Sequence, residues 1–179
     1  EPVNVFDQVY KNSLDTKEST VTPLPIGTYA AIEDRNISEK TCRVFDYQVG
    51  LQRGQPAHYA MVKGQDGQNT ACHVRVLPKQ ITWIGSPKGG QLFGQHQGIG
   101  SHLVITEGEL DAMSVYEADK QDLYTVVSIT SGVNACLNNL KANSKYIDSF
   151  ARVTIFFDLD DVGKEWAEKA AELIGPKCR

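Results

Sequence analysis

The sequence lacks the features that would place it in several specialised classes of protein. It has four cysteines in 179 residues, and no two of them stand in a CxxC spacing. This pattern argues against a zinc site and against a disulfide framework, and it suits a reducing, cytoplasmic compartment. No apolar run reaches the ~18–20 residues that a membrane-spanning helix needs. The first residues show no basic head followed by an apolar core, so we expect neither a secretory signal nor a membrane partner.

Positive charge is scarce overall but concentrated in one segment. The formal net charge is −4. Residues 1–46 carry five basic and eight acidic side chains, residues 47–100 carry five and one, and residues 101–179 carry eight and thirteen. A basic block followed by an acidic block is expected where one part of a protein meets polyphosphate and another gathers cations. Chance variation in charge would give the same pattern, and the composition leaves that alternative open.

The first hundred residues are predicted to be mainly β-structure. Residues 1–27 are polar and contain two prolines near their end, which is typical of a lead-in or linker. Within residues 28–100, a short helix is predicted over 37–45 with Ser38 as its N-cap. Short extended runs follow, including a hairpin over 59–76 with a turn at its centre. The glycine-rich residues 85–101 are predicted to be a loop.

Residues 101–179 alternate strand and helix patterns. Their strand patterns are continuous apolar runs, which are typical of a parallel sheet that is covered on both faces. The runs occupy residues 103–105, 124–129 and 153–157, and helices are predicted over 109–118, 132–143 and 161–174. The predicted fold is therefore mixed α/β, with a β-rich N-terminal subdomain (28–100) followed by a parallel sheet flanked by helices (101–179).

Acidic side chains follow two of the three predicted parallel strands. Glu107 and Asp111 follow the first strand, and Asp158 and Asp160 follow the third. Because ligands gather at the carboxyl ends of parallel strands, we expect these carboxylates at one edge of the sheet. A hard cation such as Mg²⁺ prefers oxygen ligands and would offset their mutual repulsion. The alternative is that the carboxylates only favour or cap the N-termini of the following helices.

Three segments resemble the early motifs of a TOPRIM domain, the metal-binding module of DnaG-type primases and topoisomerases. They are residues 104–111, 127–132 and 157–160. Residues 37–42, the hairpin and residues 91–94 resemble the primase half of bacteriophage primase–helicase proteins, to which the mitochondrial protein Twinkle is related. Together the resemblance covers about residues 28–177.

The resemblance implies a DNA primase, which joins ribonucleoside triphosphates into an RNA primer on a single-stranded DNA template. It implies that Glu107, Asp111, Asp158 and Asp160 are catalytic. Of these, Glu107, Asp158 and Asp160 would hold Mg²⁺ or Mn²⁺. Two other functions stay open: a TOPRIM nuclease that uses the same carboxylates, and a non-catalytic DNA-binding arm of a replicative helicase.

Basic residues of the hairpin are expected to bind template or triphosphate. His73, Arg75 and Lys79 are two and four residues apart, so an extended strand would present all three on one face. Pro78 interrupts that strand, and a cationic edge strand that only avoids pairing would show the same residues. The full predicted nucleic acid- or nucleotide-binding set is His73, Arg75, Lys79, Lys88, Ser131, Gly132 and Lys164.

The sequence also departs from the family pattern. It contains no zinc-binding module and no GxxxxGK[ST] motif, although the family has a zinc module before this region and a helicase after it. We therefore expect a fragment of a larger protein, whose zinc-binding and helicase domains would be partners of this one.

Overall fold

The chain folds into two β-sheets that are joined by a shared hydrophobic cluster. The structure is a computed structural model that describes residues 23–78, 80–98, 100–130 and 132–179. Most of the predicted lead-in lies outside these residues, as do the predicted ligand-binding residues Lys79 and Ser131.

The N-terminal part is an antiparallel meander preceded by a helix. Its strands follow one another in the order β1-β2-β3-β4, each antiparallel to its neighbour. The elements are a 3₁₀ turn (Glu33–Arg35), α1 (Glu39–Phe45), β1 (Tyr47–Gln52), β2 (Gln55–Lys63), β3 (Asn69–Val76) and β4 (Gln80–Gly85).

The C-terminal part is a parallel sheet in the order β6-β5-β7. Its elements are β5 (His102–Thr106), α2 (Glu109–Ala118), β6 (Thr125–Ser128), a 3₁₀ turn (Val133–Ala135), α3 (Cys136–Ala142), α4 (Ser144–Asp148), β7 (Arg152–Phe156) and α5 (Asp161–Ile174). The mixed α/β prediction is confirmed. No helix in the described part of the chain has the length and apolar character needed to cross a membrane.

Short polar side chains begin two of the helices. The Ser38 hydroxyl accepts the Thr41 backbone N–H at 3.3 Å, which confirms Ser38 as the N-cap of α1. The Asp160 carboxylate accepts the Gly163 N–H at 2.7 Å and begins α5 in the same way. Helix α1 ends where Asp46 takes a left-handed backbone conformation with φ 54°.

The predicted glycine-rich loop is in fact packed against the parallel sheet. Leu92 and Phe93 are 2% and 1% exposed. Phe93 exchanges two backbone hydrogen bonds of 3.0 Å with Ser128, so the segment pairs antiparallel with the end of β6. The loop prediction holds for residues 86–94, which form no helix or strand beyond a single bridge at Phe93. Two apolar residues among the glycines nevertheless anchor the loop to the sheet.

One hydrophobic core joins the two parts. Phe45 of α1 packs against Phe93 and against Tyr116 of α2, with ring centroids 5.5 and 5.3 Å apart. The same cluster contains Ile37 and Tyr47 from the N-terminal part, and its members from the parallel sheet and α2 are Val104, Leu110, Ala112, Met113 and Val126. Burial of these apolar side chains fixes α1 against α2.

A carboxylate from α2 adds a polar link at the same junction. Glu117 accepts hydrogen bonds from the Ser38 backbone N–H at 3.0 Å, from the Ser38 hydroxyl at 2.8 Å and from the Thr41 hydroxyl. The hydrogen bonds from Thr41 and Ser38 lower the pKa of Glu117 to about 2, because they favour its ionised form. Glu117, on the other side of the junction, therefore accepts hydrogen bonds from donor groups at the N-terminus of α1.

We expect Glu117→Ala to lower the free energy of unfolding by about 2 kcal/mol, since it removes a charge that accepts several hydrogen bonds. The lowered pKa also predicts that the stabilisation is complete above the unfolded-state value near 4.5 and is lost as the pH falls toward 2. Urea unfolding between pH 2 and 7 measures both effects. Glu165→Ala is the control, since Glu165 forms an exposed ion pair with Lys169 and is expected to change stability by less than ~0.5 kcal/mol. Equal effects of the two substitutions at pH 7 would contradict the prediction.

Candidate functional site

Acidic residues from two neighbouring strands meet at one edge of the parallel sheet. Thr106 of β5 pairs with Phe156 of β7. Glu107 follows the first of these residues directly, and Asp158 comes two residues after the second. Asp111 lies in the first turn of α2, and Asp160 caps α5. The strand register therefore carries all four predicted carboxylates to the carboxyl ends of β5 and β7.

The electrostatics show that these carboxylates act on one another. Burial raises the pKa of Glu107, and the charge of Asp158 raises it further, with smaller effects from Asp160 and Asp111. Burial likewise raises the pKa of Asp111, again followed by the charge of Asp158. Asp158 is thus the charge that couples the two strand ends.

Two glycines allow the acidic segments to approach closely. A Cβ at Gly108 would lie 2.7 Å from a carboxylate oxygen of Asp111, so the absence of a side chain leaves room for that carboxylate over the start of α2. A Cβ at Gly163 would lie only 2.2 Å from the carbonyl oxygen of Asp158. Gly163 thus lets the first turn of α5 pack directly against the Asp158 backbone, a requirement that the sequence analysis missed.

The residues fit a hard cation in chemistry and in charge. All their ligand atoms are oxygens, as Mg²⁺ and Mn²⁺ prefer. The raised pKa values of Glu107 and Asp111 indicate negative charge that a divalent cation would offset. The described part of the chain gathers no three His, Cys, Asp or Glu side chains into a geometry that could hold a metal ion. One Asp160 oxygen is also engaged by Gly163. The carboxylate oxygens therefore lie at one edge of the sheet without forming a complete coordination shell for a metal ion.

Arginines of the N-terminal part influence this acidic edge. Arg35 and Arg75 both act to lower the pKa of Asp111, against the larger effects of burial and of Asp158. Arg75 is half-buried on β3 and pairs with His58 and Ile81 on the neighbouring strands. Arg35 is exposed in the 3₁₀ turn before α1. The sequence analysis missed Arg35, because a single arginine in a short turn carries no periodic signal.

His73 is engaged inside the protein. Its Nδ1 lies 2.6 Å from Oε1 of Glu109, the first residue of α2. Its ring stacks on Trp83 of β4, with centroids 4.4 Å apart and an interplanar angle of 11°. The His73 and Glu109 side chains are 17% and 10% exposed. His73 therefore connects the antiparallel sheet to the acidic segment of the parallel sheet.

Three further residues of the predicted ligand-binding set, all in the described part of the chain, are exposed. Lys88 lines a groove of about 470 Å³, and Asn138 and Asn139 line the same groove. Gly132 has φ +69° and lies just before the 3₁₀ turn. Lys164 lies in the first turn of α5, four residues after Asp160. Within the described residues, neither lysine forms an ion pair, which leaves both ammonium groups without a carboxylate partner there.

Comparison with known families gives two adjacent matches. Residues 104–179 match a family described as Toprim-like. Residues 27–85 match a family described as the N-terminal α+β fold of bacteriophage T7 DNA helicase/primase. The two matches correspond closely to the parallel and the antiparallel sheets.

Individual relatives agree with these families. A DNA helicase/primase of Enterobacteria phage T3 is 34% identical over 150 residues, which are 83% of this chain and 26% of the relative. The chain thus spans about a quarter of the length of that curated protein. The crystal structure of the primase fragment of bacteriophage T7 primase-helicase protein superimposes with a TM-score of 0.82 and 30% identity, over 90% of this chain and 70% of that one.

A second solved structure is similar over most of the chain. It contains bacteriophage T7 lagging-strand DNA polymerase interacting with primase domains of two subunits bound to an RNA/DNA hybrid and dTTP. The TM-score is 0.78 and the identity 33%, over 86% of this chain and 79% of that chain.

We expect Gly163→Ala to destabilise the protein by about 1–3 kcal/mol, because the added methyl group must displace the Asp158 carbonyl. In an unobstructed helix the same change would stabilise by about 1 kcal/mol, so the sign of the effect is diagnostic. Chemical unfolding measures it. Glu168→Ala, at an exposed position of the same helix, is the control and should change stability by less than ~0.5 kcal/mol. A Gly163→Ala protein as stable as the parent would refute the proposed close approach.

Proposed function

The chain belongs to the TOPRIM-containing primase domains of bacteriophage primase–helicase proteins, and we propose that it transfers nucleotides from ribonucleoside triphosphates to a growing RNA primer. The observation that carries this proposal is the meeting of Glu107 and Asp158 at the paired ends of β5 and β7, where burial and then the charge of Asp158 raise the pKa of Glu107. Without a counter-charge this arrangement costs stability, and such a cost is typical of a functional site.

The acidic residues are assigned to the metal and to catalysis. Glu107, Asp158 and Asp160 would hold Mg²⁺ or Mn²⁺, and Asp111 would complete the negative cluster. Bound there, the cation would supply Lewis-acid polarisation of phosphoryl oxygens. The carboxylates would fix the position of that cation, and the position would set where the triphosphate lies relative to the primer 3′-hydroxyl. Such positioning is the main contribution of a protein to phosphoryl transfer.

The basic residues are assigned to the nucleic acid and to the triphosphate. Arg75, supported by Arg35, acts on the acidic edge from the antiparallel sheet and would attract phosphate without reading bases. Lys88, Lys164 and Gly132 are exposed and would contribute further contacts, together with the predicted residues Lys79 and Ser131.

The relatives support the ligands and partners that we propose for the whole protein. The T3 relative is named a DNA helicase/primase, and a T7 structure contains primase domains bound to an RNA/DNA hybrid. We therefore assign this chain a single-stranded DNA template, ribonucleoside triphosphates, and zinc-binding and helicase domains as partners. Its place of action would be the cytoplasm of a bacterial host.

Nucleotide incorporation tests the activity directly. With Mn²⁺, labelled ribonucleoside triphosphates and an oligoribonucleotide annealed to DNA, we expect this chain to extend the primer slowly. Glu107→Gln should reduce extension by about 100-fold or more, the scale of losing one electrostatic group at a transition state. Asp161→Asn, at an exposed carboxylate in the first turn of α5, is the control and should retain activity.

The products distinguish the other two functions. Metal-dependent shortening of the nucleic acid would identify a nuclease. DNA binding without extension or shortening would identify a non-catalytic binding arm. Either result would overturn the proposed primase activity.

Metal binding tests the acidic site apart from catalysis. We expect Mn²⁺ to raise the melting temperature of the parent protein by mass action and to leave an Asp158→Asn, Asp160→Asn double variant unchanged. Asparagine caps helices as well as aspartate does, so α5 should remain intact in that variant. An Asp148→Asn, Asp161→Asn double variant should respond to Mn²⁺ like the parent. Equal responses of all three proteins would rule out the assigned metal site.

The same carboxylates predict a gain of stability in EDTA. Because the folded-state pKa of Glu107 is raised, its ionisation costs stability at neutral pH. Asp158→Asn removes part of that cost, and the melting temperature should rise by about 1–3 °C. Asp160 is kept in this measurement because its carboxylate also stabilises the N-terminus of α5.

A further inference from the structure

We infer that His73 is a positioning residue that holds the acidic segment of the candidate site through Glu109, and that it acts by its Nδ1 rather than by touching nucleic acid or nucleotide. The inference deepens the proposed function and rests on it. It assigns a specific task to a histidine on a basic strand of the antiparallel sheet.

The geometry gives His73 two fixed contacts. Its Nδ1 is 2.6 Å from the Glu109 carboxylate, and its ring is stacked on Trp83. A carboxylate oxygen can only accept a hydrogen bond, so the partner assigns the proton to Nδ1. The stacked indole fixes the plane of the ring and therefore the direction of that hydrogen bond. His73 is thus held in place on both its face and its edge.

Glu109 transmits this contact to the candidate site. It is the first residue of α2, and it stands between Glu107 and Asp111 in the sequence. Glu109 is only 8% exposed. Within the described residues, its carboxylate forms a side-chain hydrogen bond with His73 alone. A buried carboxylate without a hydrogen bond is costly, so loss of the histidine donor would drive Glu109 toward water. Such a shift would move the first turn of α2 and the acidic residues on either side.

The alternative role, direct contact with a ligand, requires a different part of the ring. Trp83 covers one face and Glu109 occupies Nδ1, so a ligand would be met through Nε2. Side-chain replacements separate the two nitrogens. The amide of asparagine reaches about as far as Nδ1, and the longer amide of glutamine reaches about as far as Nε2. Phenylalanine keeps a ring for stacking on Trp83 but has neither nitrogen.

The experiment measures Mn²⁺ affinity of the full 179-residue chain by the electron paramagnetic resonance signal of free Mn²⁺. We expect His73→Phe and His73→Gln to weaken binding about fivefold and His73→Asn to remain within about twofold of the parent. Hydrogen exchange of the amides of residues 106–112 should be faster in the first two variants and unchanged in the third. The control is His102→Phe, because His102 is half-buried at the other end of β5, where it contacts Thr154. It should match the parent in both measurements.

Three results would overturn the inference, and they differ in what they leave standing. Rescue by glutamine instead of asparagine would make His73 a direct contact. Parent-like affinity and exchange in His73→Phe, with Mn²⁺ binding lost in the Asp158→Asn, Asp160→Asn variant, would remove the positioning role and leave the proposed function intact. Parent-like Mn²⁺ binding in that double variant would remove the metal site itself, and the positioning role with it.

Discussion

The candidate site depends on the parallel pairing of β5 with β7. Because Thr106 is paired with Phe156, the chain leaves both strands at the same level and delivers Glu107 and Asp158 to one edge. A hydrogen-bonded ladder is rigid compared with the loops that follow it, so the carboxylates cannot relieve their repulsion by moving apart along the sheet. Gly108 and Gly163 then allow the following helices to begin within one turn of this edge.

Helix α2 is held to the N-terminal part at both of its ends. Glu109 at its start bonds to His73 of β3, and Glu117 near its end bonds to Ser38 and Thr41 of α1. These two carboxylates are eight residues apart, or about 12 Å along the helix. Between them, apolar residues of the helix join the shared core. The antiparallel sheet therefore has a defined position relative to the acidic edge. Because Arg75 lies on that sheet, its position relative to the acidic edge is also defined.

The sequence was most informative where the signals are local. Ser38 as a cap, the bounds of α2 and α5, and the hairpin follow from capping chemistry and periodicity, and the structure agrees with them. Contacts between distant segments carry no such signal. The charge of Arg35 acts on Asp111, and His73 meets Glu109, only after the two sheets pack together. Leu92 and Phe93 stood within the family resemblance, but their burial was not predicted because glycines on both sides suggested a loop. The ends of the predicted parallel strands indicated the acidic residues, and the family resemblance added their roles, which stay predictions.

The backbone pairing of Phe93 with Ser128 has a mechanical consequence. Glycine-rich connections usually let two modules swing or unfold independently. Here the connection itself pairs with the edge of the parallel sheet through the two hydrogen bonds between Phe93 and Ser128. Its two apolar side chains lie in different hydrophobic clusters. Phe93 packs in the cluster shared with α1, and Leu92 packs in the cluster beside α3 and α5. Neither sheet can unfold without breaking the contacts that this segment makes with the other sheet. The two halves should therefore melt as one cooperative unit, and proteolytic cleavage within residues 91–94 should require global unfolding.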